Sequence, residues 1–219
     1  MSEERITALL SEAAQWHLIG LLFEYPDDSW RSRLQTLLPD LRQENLRAMG
    51  QAALSYATEG LHIALFGPAG SVPVREVTYQ GGVQFGYLMA ELSAYYEAFG
   101  YRPAIAEADD HLAVELGFVS YLRIKQALAL ASDDEDHAAV TAEAATSFLK
   151  DHLAMMAEPV AKALEIFAPD YLIDAGALVL EQTGPSPRSG YPLGANLCEE
   201  DDEIACGPSA ASSDLVQLT

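Results

Sequence analysis

Residues Asp109–Ser132, DDHLAVELGFVSYLRIKQALALAS, decide the fold class. Leu112, Leu116, Val119, Leu122 and Leu128 recur at helical spacing, so one long helix with a strong apolar face is predicted. Asp109 or Asp110 stands where a carboxylate can cap its first turn. Working outward, the same period repeats. Toward the N-terminus, Val83–Phe99 carries Phe85, Leu88, Leu92, Tyr95 and Tyr96 and is closed by Gly100. Toward the C-terminus, the acidic turn SDDED opens a helix with Val140, Ala144, Phe148 and Leu149. Pro159 fits the first turn of a further helix, PVAKALEIF, and a last helix covers Asp170 to Glu181.

The first half reads the same way. Ile6, Leu9, Leu10, Ala13, Leu18 and Leu21 define a helix from Glu3 to Glu24, stopped by Pro26. Asp27 or Asp28 caps the next, which bears Trp30 and Leu34. A third runs from Leu41 to Glu59 and ends at Gly60. A short apolar piece, LHIALFG, then leads into a loop rich in breakers, GPAGSVPVREVTYQGG. Alternating β-branched runs are missing. The fold class is therefore all-α, a compact single-domain helical bundle over residues 1–182. From 183 to 219 the composition turns to Gly, Pro, Ser and acidic residues, which predicts a disordered tail.

Charge narrows the function. Against 12 basic residues stand 33 acidic ones, a net charge of −21 and a pI of about 4.3. Such a surface repels phosphate backbones and anionic lipid, so neither nucleic acid nor membrane is an expected partner, and a basic polypeptide is. The N-terminus lacks a basic start and a cleavage site, and no stretch is apolar enough to span a bilayer, so a cytoplasmic protein is expected. Cys198 and Cys206 are too far apart for a CxxC site and imply no disulfide framework.

No catalytic set emerges, and no cofactor is expected. GPAG lacks the lysine of a phosphate loop, and no serine sits in a GxSxG elbow. One enzyme reading stays open: Asp110, His111 and Glu115 gather at one helix start, and His111 and Glu115 share a face at i, i+4, where they could hold a metal. Helix capping beside a solvated acidic face is the plainer explanation. A binding reading uses the loop instead. Leu65, Phe66, Pro73, Val74 and Tyr79 supply an apolar floor, and the acidic helix start at Asp110 and His111 a negative rim, suited to an amphipathic or arginine-bearing peptide.

At these residues the chain resembles the TorD/DmsD/NarJ-type chaperones of molybdenum-containing oxidoreductases. The marks are Leu65, Phe66, Gly67 and Pro68 before the loop, then Pro73 and Tyr79, then Glu107, Ala108, Asp109, Asp110 and His111 running into LAVELGFVSYL, and late FLKDHL with Phe148, Leu149, His152 and Leu153. The similarity spans about Ala13 to Glu181. Ala108 stands where the family often has proline, His62 and Val74 where some members carry large aromatics, and Met156 where tryptophan is frequent. The resemblance implies a cytoplasmic, non-enzymatic chaperone, monomer or homodimer. It would hold the N-terminal or twin-arginine signal segment of an apo catalytic subunit until cofactor insertion is complete. It further implies a peptide site drawn from His62, Leu65, Phe66, Pro73, Val74, Tyr79, Glu107, Asp110, His111 and Glu115. A small helical metal-dependent enzyme, or an acidic adaptor with another client, is the alternative.

Overall fold

The computed structural model describes residues 2–81 and 85–184. Among them the regular structure is helical: α1 (Ser2–Leu22), α2 (Asp28–Leu37), α3 (Glu44–Tyr56), α4 (Glu59–Phe66), α5 (Phe85–Phe99), α6 (Leu112–Ala131), α7 (Glu135–Phe148), α8 (Ala154–Phe167) and α9 (Asp170–Thr183). The only β-type pairing among the described residues is a single bridge between Arg75 and His111. The expected tail lies, from residue 185 on, outside the described residues.

The decisive stretch becomes the central helix, α6. It packs along α1 on one side and α7 on the other. Leu112, Leu116, Phe118, Val119 and Leu122 are all buried. Phe118 is the hub of an aromatic cluster, 4.8 Å from the ring of Phe148, 4.9 Å from Tyr96 and 5.2 Å from Tyr101. Ser120, a polar residue on this buried face, donates to the Ala13 carbonyl of α1 at 2.8 Å, which satisfies its hydroxyl and ties the two helices.

Local chemistry explains the boundaries. Asp27 caps α2 by accepting from the Trp30 amide at 2.7 Å. Gly100 ends α5 with a φ of 68°, where a side chain would be strained. Three boundaries differ from the sequence reading. The cap of α6 is His111, whose Nδ1 accepts from the Ala113 amide at 3.2 Å; neither Asp109 nor Asp110 fills that role. The predicted third helix breaks at Ala57, and the apolar piece after it is itself α4. Arg31 donates to the Leu54 and Ala57 carbonyls at 2.9 and 3.1 Å and so terminates α3, while Thr58 accepts from the Leu61 amide to start α4. Pro159 lies inside α8 and not in its first turn. A π-turn at Leu149–Leu153 runs α7 directly into α8, so helical geometry is established before the proline is reached.

Candidate peptide-binding site

The Gly/Pro-rich loop folds back on the bundle in two steps. Ser71 and Val72 donate their amides to the Ala64 and Leu65 carbonyls at the end of α4, at 3.1 and 2.8 Å. Glu76 then donates to the Asp110 carbonyl and Leu112 to the Val74 carbonyl, both at 2.9 Å, zipping the loop to the start of α6. Tyr79 locks the turn by donating to the Pro73 carbonyl at 2.7 Å, and Tyr96 donates to the Asp109 carbonyl at 2.8 Å.

This zipper buries most of the acidic helix start. Asp110 is fully buried and takes the Arg75 guanidinium, with Nε 2.6 Å from Oδ1. Glu115 is also fully buried, and its carboxyl is pushed well above the usual range by burial, then by the charge and hydrogen bonding of Glu76 and by Asp110. Burial, with His62 and Arg75 nearby, pushes the His111 imidazole down to about 4. His111 is therefore neutral at pH 7, and with Nδ1 accepting from Ala113 its proton is on Nε2. Asp110 is thus engaged by Arg75 and His111 by the Ala113 amide, while Glu115 faces the Glu76 carboxyl. Among the described residues no group of three or more His, Cys, Asp or Glu side chains is arranged to hold a metal ion.

The residues that reach solvent lie on the other side of the α4 end. Phe23, Phe66, His62 and Tyr25 form a ladder of rings, with successive centroids 5.5, 5.2 and 5.3 Å apart, leading from the core to the surface. Phe23 is fully buried and Tyr25 exposed. Beside Tyr25 opens a cleft of about 360 Å³ between the end of α1, the start of α2 and the segment 104–107. Glu24, Asp27 and Glu107 line it, with Arg33 the one basic residue in its wall. Arg33 pairs with Glu24, yet the Glu24 carboxyl still titrates above its ordinary value. Burial is the main cause, and Asp27 and Glu107 add like charge. Tyr25 bonds to Glu59, which holds its phenol above its ordinary value. Burial keeps His62 below the ordinary imidazole value, so the ladder is uncharged at pH 7 within an acidic frame.

Of the residues expected in the site, His62, Phe66, Pro73 and Glu107 retain exposure. Leu65, Val74, Tyr79, Asp110, His111 and Glu115 are buried, and of these Leu65 packs beside His62 and Phe66. Glu24, Tyr25, Asp27, Arg33 and Glu59 were missed. Glu24, Tyr25 and Asp27 fall in FEYPDD just after α1, an aromatic and acidic run beside a helix break that periodicity reads only as a boundary; Arg33 and Glu59 lie in separate helices and carry no local signal.

The sequence profile of the nitrate reductase delta subunit family matches residues 27–162. A crystal structure from Archaeoglobus fulgidus, of a protein named for a suggested role in redox enzyme maturation, shares the fold. Its TM-score is 0.50 at 18% identity, and the alignment covers 78% of this chain and 93% of that one. A search of curated proteins finds no match. With the profile spanning more than half of the sequence, the chain belongs to the nitrate reductase delta subunit family, the NarJ/TorD-type chaperones of redox-enzyme maturation.

Proposed function

We propose that this protein is a cytoplasmic, non-catalytic chaperone for one molybdenum-containing oxidoreductase. It binds the N-terminal or signal-peptide region of the apo catalytic subunit and holds it until the cofactor is inserted. The observation that carries the reading is the pairing of the aromatic ladder Tyr25–His62–Phe66 with a cleft holding three carboxylates and one guanidinium. An apolar client segment stacks on the rings. An adjacent arginine enters the cleft and relieves the repulsion among Glu24, Asp27 and Glu107, the interaction that a charged and planar guanidinium makes best.

Supporting this reading, no described helix is long and apolar enough to cross a membrane, and the net charge of −21 favours a basic client over lipid or nucleic acid. The test is calorimetry on the full chain with a synthetic peptide of two adjacent arginines followed by an apolar run. Binding should weaken at least tenfold when both arginines are replaced by alanine, and again with Glu107→Gln. Equal affinity for the arginine and alanine peptides would remove the cleft from client recognition.

A further inference from the structure

A second surface lies on the outer face of the α8–α9 hairpin. The two helices approach closely at Gly176, where an added Cβ would come 2.7 Å from Leu164 Cδ1 and 3.3 Å from the Ala161 backbone. Small residues at this seam leave a trough of about 530 Å³, floored by Ala161, Ile173, Ala177 and Leu180. Glu158, Glu165 and Glu181 rim it, and the one cation there, Lys162, pairs with Glu158 at 2.6 Å. The charge imbalance continues along α9, where Asp170 and Asp174 are exposed. Glu158 to Glu165 spans seven residues, or roughly 10 Å at helical rise, so the trough accommodates about two turns of a helix.

We propose that this trough docks a basic amphipathic helix of another polypeptide. Such a helix would lay a narrow Leu/Ala stripe on the floor and set Lys or Arg against the rim. Charge selects this occupant. A second copy brings another net −21. Residues 185–219 of the chain itself bring Glu199, Glu200, Asp201, Asp202, Glu203 and Asp214 against Arg188 alone. Anionic lipid is repelled likewise. The surface is distinct from the proposed client cleft. Tyr171 and Leu172, at the start of α9, face Phe66 and His62, whereas Ile173, Ala177 and Leu180 face outward into the trough.

The probe is a labelled 15-residue peptide with Leu or Ala at i, i+3, i+4 and i+7 and Lys elsewhere, compared with a scrambled peptide of the same composition by fluorescence anisotropy on the full chain. The expected result is at least tenfold tighter binding of the amphipathic peptide. Ala177→Arg should abolish that preference, and Glu165→Gln combined with Glu181→Gln should weaken binding severalfold. All three positions are exposed, so the fold tolerates these changes. Glu107→Gln should leave binding unchanged, which separates this surface from the client cleft. Equal binding of the scrambled peptide, or the same affinity in Ala177→Arg, overturns the proposal. So does a concentration-dependent dimer in sedimentation that Ala177→Arg dissociates, since the occupant would then be a second copy.

Discussion

His152 Nδ1 lies 3.1 Å from the Glu76 carboxylate, with both side chains withdrawn from solvent. The contact joins the loop between α4 and α5 to the π-turn between α7 and α8, elements far apart in sequence. Gln80 also donates to Glu76. Glu115 sits against Glu76, and among the described residues no N–H or O–H group donates to either of its oxygens. A protonated Glu115 resolves this by donating its own proton to Glu76.

A pH dependence follows. Glu115 has a folded value raised above 4.5, so the folded state binds its proton more tightly than the unfolded chain does. This contribution to stability is complete below pH 4.5 and is lost as pH climbs through the raised value. Glu115→Gln mimics the protonated form and cannot ionise. Its melting temperature relative to the parent should therefore rise with increasing pH. A difference that stays constant across a thermal-shift series from acid to alkaline pH would show that Glu115 ionises normally.

Breaking the Arg75–Asp110 pair tests the scaffold. Asp110 is fully buried while Arg75 keeps more than a third of its side-chain surface, so solvent moderates the effect. Asp110→Asn should lower unfolding stability by roughly 1.5–3 kcal/mol, the range for a hydrogen bond to a charged group. Urea denaturation checks this, and an unchanged midpoint would show that the zipper stands without the pair.

Gly70 occupies a position that no other residue fits. A Cβ there would lie 2.4 Å from the Leu65 carbonyl oxygen and 2.9 Å from that of Gly67, both backbone atoms that cannot swing aside. Gly70→Ala should cost about 1–3 kcal/mol through forced backbone displacement. It should also weaken peptide binding, because the same turn positions α4. Full stability in chemical denaturation would mean that the loop has an alternative path.

In the proposed client site, Asp27 caps α2 as well as lining the cleft. Asparagine caps as well as aspartate and carries no charge. Asp27→Asn should thus leave the melting temperature within a degree or two while reducing affinity for the two-arginine peptide severalfold in dilute buffer. The difference should shrink toward zero near 1 M salt, where the Debye length is about 3 Å. An affinity loss independent of salt would assign Asp27 a steric role instead.

The helical class, the central helix Leu112–Ala131 and the stops at Pro26 and Gly100 were legible in the sequence, because periodicity and breaker residues act over one or two turns of chain. The FLKDHL and DDHLAVEL stretches also marked the family, though not why those residues matter. Whether Asp110 and Glu115 face a client or the core depends on Arg75, which pairs with Asp110 across the fold, and on Glu76, which lies against Glu115 and is itself held by His152. Likewise, only folding brings Tyr25 from the end of α1 against His62 of α4 and sets Glu107 beside Glu24. A chain's local pattern states which residues prefer to be helical or buried. Which charges meet, and which are left facing solvent, is decided by long-range packing, where desolvation must be balanced by a partner distant in sequence.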